Sequence, residues 1–205
     1  MLVNKTVVDF LASTASNEPV PGGGSIAALA GGLAASLAEM VANLTIGKKK
    51  YVEVNDEMVA IGEKMATARN EFVEFVDKDA SSFDDVMKAF KLPKETDEEK
   101  KERTIAIQAG MKYAASVPLS VAKAANALFD ITEAVVVKGN TNAVTDGAVA
   151  TMMARTAVLS ALYNVKINLA SIKDEEFVAQ MTKEVNELEA NAIAREKEIL
   201  AKVVI

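Results

Sequence analysis

The stretch 19–45 constrains the chain more than any other. Pro19-Val20-Pro21-Gly22-Gly23-Gly24-Ser25 leads without a break into a run of mostly Ala, Gly, Leu and Ser that reaches Thr45. Two prolines stiffen the approach, and three glycines open backbone conformations closed to other residues and let a ligand come close. Ser25 suits the cap position of the helix that follows. The first N–H groups of that helix lack internal partners and carry partial positive charge, so loop and helix start form a cradle for an oxygen-rich or planar ligand. The Lys-Ser/Thr pair that ends a phosphate P-loop is missing after the glycines. An ordinary glycine-rich helix entry would use the same residues, and spacing alone leaves both readings open.

Within this helix Ala28, Gly32 and Ser36 recur at four-residue steps. Small residues on one face let two helix backbones approach closely, whether the neighbour belongs to the same chain or to a second subunit. The run 26–44 is apolar enough to raise the question of a membrane span. Glu39 interrupts it, and small residues outweigh Leu and Ile, which favours a buried helix of a soluble protein.

The other prolines and glycines cluster at breaks, and between them apolar residues recur with helical period. The pattern predicts one all-α domain over residues 1–205, a bundle of six or seven helices. They are expected at about 6–13, 25–45, a long third at 55–90, then 96–117, 118–137, 145–169 and 173–201. Thr96 and the acids after it mark one start, and Pro118 suits the first turn of another. The run Ala134-Val135-Val136-Val137 resembles a strand but has nothing nearby to pair with. Lys183, Glu184, Glu187 and Glu189 make the last helix a solvated outer one.

The net charge of −6 argues against nucleic acid as a partner. The chain has no Cys and no His. Disulfides, thiolate chemistry, the commonest metal ligand and the usual neutral-pH base are all excluded. Acid–base work must fall to Asp, Glu, Lys or Tyr in environments that shift their pKa. The N-terminus has no charged-then-apolar signal pattern, so a cytoplasmic protein is expected.

Asp79 is the first candidate. It falls in the apolar stripe Phe72, Phe75, Val76, Phe83, Val86, Met87 and Phe90, four residues from both Phe75 and Phe83. A carboxylate there must be paired, hydrogen-bonded or protonated, and burial would fit it for proton transfer. A structural Asp bonded to a helix end is the alternative. Asp77, Asp84 and Asp85 fit a solvated face. Asp146, after the polar loop Gly139–Thr145, sits in a first helical turn, where it meets the helix dipole or, with Asn140, binds a ligand's amide and amino groups. Lys48, Lys49 and Lys50 either complement a helix C-terminus or hold a substrate's carboxylate tail. Asn164 and Asn168, four apart, share a face and need polar partners, from the protein or from a ligand. Arg103 is expected to be exposed unless it meets a carboxylate.

Taken together, the chain resembles the formiminotetrahydrofolate cyclodeaminase family, which includes the C-terminal half of bifunctional formiminotransferase-cyclodeaminases and stand-alone methenyltetrahydrofolate cyclohydrolases. The resemblance is carried by Pro19 through Ser25, Met40-Val41 with Leu44-Thr45 and Gly47, and Val76-Asp77 with Asp79 and Phe83. It continues through Lys91-Leu92-Pro93-Lys94, Val117-Pro118-Leu119, Gly139-Asn140 with Asp146, Asn164-Val165 and Ile167-Asn168-Leu169. The set spans nearly the whole chain. Thr145 departs from the more usual Ser but keeps a hydroxyl.

The resemblance implies an all-helical homodimer acting on a folate, with no metal and no cofactor beyond the tetrahydrofolate-derived substrate. It implies a cyclodeaminase: N10 of 5-formiminotetrahydrofolate attacks the formimino carbon, ammonia leaves and 5,10-methenyltetrahydrofolate forms. The alternatives are the cyclohydrolase reaction, water opening the methenyl compound to 10-formyltetrahydrofolate, and a non-catalytic helical module that binds folate or a partner. Without an attached transferase domain, the substrate would come from a separate formiminotransferase, or the chain would act on a different folate. In this reading Pro21, Gly22, Gly23, Gly24 and Ser25 bind the pterin or the substituents of the reacting carbon. Asp79 and then Asp146 are the proton-transfer candidates, Asn140 orients the substrate with Asn164 and Asn168 as further contacts, and Lys48–Lys50 hold a glutamate tail, which is usually several carboxylates long.

Overall fold

Alanine and glycine dominate the buried face of one helix, and the bundle is arranged around it. The computed structural model describes residues 1–205. Its α-helices are α1 (Val7–Thr14), α2 (Gly23–Thr45), α3 (Asn55–Phe90), α4 (Asp97–Asn126), α5 (Phe129–Lys138), α6 (Val144–Leu169) and α7 (Glu175–Leu200), with short 3-10 turns at Leu2–Asn4, Lys49–Val54 and Thr141–Ala143. The protein is all-α, as expected, and 134–137 is helical.

α2 packs most extensively on α3 and α6. Ala27, Ala28, Ala34, Ala35, Ala38 and Ala42 are almost completely buried, as are Met58, Met65 and Phe72 of α3 and Ala154, Ala157, Ala161 and Leu162 of α6. The small side chains bring the axes close. At Gly31 an added Cβ would lie 2.4 Å from Phe72 Cε1, so only glycine admits that ring. By length and composition α2 could cross a membrane, but 56% of its most apolar window is buried inside the protein. It runs antiparallel to both neighbours: Gly24 meets Asp79 and Gly31 meets Phe72, while Gly23 meets Asn164 at the far end of α6.

Several helix starts follow from local chemistry. Thr6 caps α1 by accepting from Asp9 N at 3.1 Å, and Asp174 caps α7 by accepting from Phe177 N at 3.0 Å. Thr96 and Glu99 form a reciprocal capping box at α4, with bonds of 3.2 and 2.9 Å. α7 lies outermost, tied by Glu184 to Lys123 of α4 and by Glu189 to Lys166 of α6.

Several expectations are corrected. Ser25 is not the cap of α2: Gly22 is, with no side-chain bond, and Ser25 is the third helical residue, fully buried. Nor does Pro118 start a helix. α4 runs straight through it to Asn126. An interior proline leaves the carbonyl four residues earlier without its donor. That carbonyl is Ala114 O, and Asn168 Nδ2 of α6 donates to it at 2.9 Å. A partner distant in sequence thus repairs the helix. The apolar stripe of α3 also fades at its C-terminal end: Phe83, Met87 and Phe90 are partly exposed. Asp77, expected in solvent, is half-buried and accepts from Leu2 N. Arg103 meets a carbonyl rather than a carboxylate, donating to Phe90 O at 3.1 Å.

The repair at Pro118 predicts a coupling. Asn168→Ala should cost about 1–3 kcal/mol, the typical penalty for orphaning a buried polar group. In a Pro118→Ala background the restored N–H takes over Ala114 O, and the cost of Asn168→Ala should fall to near zero. Urea unfolding of the four proteins of this cycle measures the coupling.

Candidate active site

The triple glycine opens α2 without a side-chain cap, so the first-turn N–H groups stay free of one. Asp79 of α3 occupies the space this leaves. A Cβ on Gly24 would lie 2.0 Å from Asp79 Oδ1, so the carboxylate is in place only because residue 24 is glycine. On its other side Asp79 Oδ2 lies 3.0 Å from Ser25 Oγ, which is also 3.1 Å from the Val76 carbonyl.

The Ser25 hydroxyl has one hydrogen and two acceptors. With Asp79 protonated both contacts are satisfied: the carboxyl donates to Ser25 Oγ, and Ser25 donates to Val76 O. With Asp79 ionised the two acceptors compete. Burial pushes the Asp79 carboxyl above its ordinary range, and the Ser25 hydroxyl and backbone amide pull it partly back. The group is poised to exchange a proton with something in the hollow beside it.

That hollow has a volume of about 330 Å3 and lies between the start of α2, the C-terminal half of α3, the middle of α4 and the end of α6, with Gly22, Gly23, Asp79, Ser82, Phe83, Met111, Asn164 and Asn168 on its walls. It is at the small end of the roughly 300–1,000 Å3 typical of small-molecule sites. A shallower hollow reaching Glu18, Ser160 and Tyr163 adjoins it across Pro19, Gly22, Gly23 and Asn164. Asn164 Nδ2 donates to Ser160 O at 2.9 Å, and Asn168 Nδ2 to Ala114 O and Asn164 O. Both amides are thereby oriented, and neither side-chain oxygen takes a hydrogen bond from the protein. Apolar Phe83 and Met111 face these polar groups, an arrangement suited to a flat heteroaromatic ring edged with donors.

The remaining sequence candidates gather elsewhere. Asn140 N donates to Thr45 Oγ1 at 2.8 Å and Asn140 Nδ2 to Leu44 O at 2.9 Å, closing the C-terminus of α2. Asn140 Oδ1 accepts from Asn142 N. Tyr51 Oη accepts from Thr141 N at 2.9 Å and also contacts Thr141 Oγ1, while Lys50 Nζ lies 5.3 Å from the Tyr51 ring centroid. These bonds from Thr141 hold the Tyr51 phenol below its ordinary pKa. Lys48, Lys49 and Lys50 are exposed and form no ion pair. Asp146 is half-buried in the first turn of α6.

Two polar ends therefore exist on one subunit. Gly22–Ser25, Asp79, Asn164 and Asn168 form one; Lys48–Lys50, Tyr51, Asn140 and Asp146 belong to the other. α2 separates them by about 33 Å at 1.5 Å per residue. Within one subunit Asp79 and Asp146 cannot reach the same atom. Ser82 and the Tyr51–Thr141 pair were not singled out from sequence: Ser82 reads as a helix-surface serine, and the Tyr51–Thr141 contact joins residues ninety apart.

Residues 6–187 match a sequence model of the family described as formiminotransferase-cyclodeaminase. The chain is 40% identical to a methenyltetrahydrofolate cyclohydrolase of Methylorubrum extorquens, over 99% of this chain and 98% of the other. It is 35% identical to the formimidoyltransferase-cyclodeaminase of Gallus gallus over 91% of its length, but that match spans only 35% of the longer protein. Its fold is similar to the crystal structure of formiminotetrahydrofolate cyclodeaminase from Thermotoga maritima, with a TM-score of 0.89 and 32% identity, covering 99% of this chain and 98% of that one.

The contacts of Asp79 generate two predictions. Gly24→Ala should displace the carboxylate and bring its raised pKa back toward the ordinary range, read by NMR titration of the carboxyl, while leaving the helical far-ultraviolet spectrum intact. Asp79→Asn tests the burial cost. The folded pKa is raised above the unfolded one, so the stability contribution is fully present below the unfolded value and is lost as pH rises through the folded value. Asp79→Asn should therefore melt at or above the wild type near neutral pH and lose that advantage as the pH falls toward about 4. Thermal melts across this range give the answer, and a variant that is less stable at neutral pH and relatively better in acid would reverse the assignment.

Proposed function

Because the chain belongs to the formiminotransferase-cyclodeaminase family, whose members make or open the one-carbon bridge of a folate, we propose that it is a methenyltetrahydrofolate cyclohydrolase with Asp79 as its proton-transfer group. The observation that carries the reading is the Asp79–Ser25 pair held over the hollow at the start of α2. The 40% identity to a cyclohydrolase over almost the full length of both chains supports this reaction in particular.

The chemistry suits the residues. The methenyl carbon between N5 and N10 is part of a cationic amidinium. An ionised Asp79 opposes that charge and accepts a proton from the attacking water, so a neutral tetrahedral carbinol forms. The protonated Asp79 then donates to N5 as the N5–carbon bond breaks and the carbinol hydroxyl gives up its proton to solvent, leaving the formyl group on N10. One water enters, one proton is released overall, and the carboxyl returns to its ionised state. The side-chain oxygens of Asn164 and Asn168 accept from the N–H and amino groups along the pterin edge, and Phe83 and Met111 cover its face.

A second reading is the cyclodeaminase. It is favoured by the similarity to the Thermotoga maritima protein along nearly the whole of both chains. Its tetrahedral intermediate differs only in carrying an amino group where the carbinol carries a hydroxyl. The same Asp79 carboxyl would accept the N10 proton and return it to the departing ammonia. Ionised Asp79 is the base in the cyclohydrolase direction, so kcat/KM should fall on the acid side through a pKa above the usual aspartate range.

Purified protein should bleach the near-ultraviolet absorbance of 5,10-methenyltetrahydrofolate, and Asp79→Asn should slow this by about 100-fold or more, the usual range for loss of a general acid–base group. Inactivity on the methenyl compound, together with ammonia release from 5-formiminotetrahydrofolate, would replace the cyclohydrolase by the cyclodeaminase. Full activity in folded Asp79→Asn would remove the assigned role in both.

A further inference from the structure

Pro118 does not touch the hollow and yet bears on it. Its ring is buried inside α4, one turn beyond Ala114, and Ala114 is on the wall of the hollow while Pro118 is not. Having no N–H, Pro118 leaves Ala114 O without the helical donor it would otherwise receive. The donor that reaches this carbonyl instead is Asn168 Nδ2, at 2.9 Å.

The two asparagines of α6 differ in this respect. Each bonds back to its own helix, Asn164 Nδ2 to Ser160 O at 2.9 Å and Asn168 Nδ2 to Asn164 O at 3.0 Å. A side-chain amide has two N–H donors. Asn164 commits one of them to the protein. Asn168 commits both, because Ala114 O takes the second. An amide nitrogen held on two carbonyls does not turn over, since exchange of its nitrogen and oxygen would set Oδ1 against two carbonyl oxygens. Asn168 therefore offers the hollow an acceptor and no donor.

We propose that Pro118 is a positioning residue of the site: by withholding the helical donor from Ala114 O, it locks the Asn168 amide with its oxygen toward the ligand, where it accepts from an N–H on the ligand's ring edge. That the ring is a pterin rests on the folate reading above; the locking of the amide does not. A locked amide is oriented before the ligand arrives, so binding does not have to order it. An N–H placed against it is held. A bare ring nitrogen in the same place is opposed, because two acceptors then face each other without a hydrogen between them. This gives a role to a proline inside a 30-residue helix, where proline ordinarily costs stability.

Two measurements test the locking and its use. The first follows the Asn168 side-chain amide by heteronuclear NMR, its signals assigned by their loss in Asn168→Ala. In the wild type both hydrogens should exchange slowly with water. Pro118→Ala restores an N–H that supplies Ala114 O from within α4, and at least one Asn168 hydrogen should then exchange about 10-fold faster or more. Pro118→Val carries the same N–H on a side chain closer to proline in volume, and it replaces Pro118→Ala if that variant does not fold. Equal exchange in the wild type and a folded variant would overturn the locking.

The second is a cycle of KM values for 5,10-methenyltetrahydrofolate. Asn168→Ala should raise KM about 3- to 10-fold, the usual contribution of one neutral hydrogen bond. Pro118→Ala should raise KM in the same direction with kcat within about 2-fold, since the contact is made alike in ground and transition states. Asn168→Ala added to Pro118→Ala should then change KM by less than about 2-fold. Asn164→Ala, whose amide is oriented by Ser160 O, should raise KM by the same factor in both backgrounds. A general distortion of α4 would not spare it. An unchanged KM in Pro118→Ala, or an undiminished Asn168→Ala effect beside it, would overturn the positioning role. A wild type that turns over neither the methenyl compound nor 5-formiminotetrahydrofolate, with amide exchange as expected, would uphold the locked amide and remove the folate reading instead.

Discussion

The whole arrangement depends on how closely other groups can approach the backbone of α2. Gly31 admits the ring of Phe72 and Gly24 admits the carboxylate of Asp79, both at distances where a Cβ would collide. The first contact is packing: an aromatic ring seated against bare backbone fixes the register of α3 on α2 in a core otherwise built of alanines. The second is chemistry: with the register set, Asp79 arrives at the start of α2, beside amides that no side chain caps. A slip of one helical turn would put an apolar residue at the carboxylate's place. The site is therefore positioned by the core.

Much of this was legible in the sequence. The helical period, the long third helix and the apolar setting of Asp79 are local signals, and local signals survive folding when packing agrees with them. The capping box at Thr96 and the cap at Asp174 also read directly, because their partners lie three residues away. What could not be read was decided by contacts distant along the chain. Pro118 looks like a helix start because the donor that repairs its helix, Asn168, is fifty residues downstream. Ser25 looks like a cap because Ser is a good one. Its hydroxyl is instead committed to α3, more than fifty residues away.

The candidate residues show the same limit in another form. All were picked by type and local pattern, and the folded subunit sorts them into two ends. A sequence carries no signal for which end of an antiparallel bundle a loop will occupy until the pairing of helices is known. Here α2 and α6 run in opposite senses, so Gly23 meets Asn164 at one end while Thr45 meets Asn140 at the other.

The polar ends also differ in how far they are finished. At the α2 start, Asp79 and the two asparagines keep open acceptor capacity facing a hollow. At the α2 end, Asn140 and Thr141 direct most of their hydrogen bonds inward, to Thr45, Leu44 and Tyr51, and Lys50 leans on Thr141 and the Tyr51 ring, while Lys48 and Lys49 stay exposed. The first end keeps open acceptors over a hollow, and the second is a rigid turn, closed by its own hydrogen bonds, that carries exposed lysines.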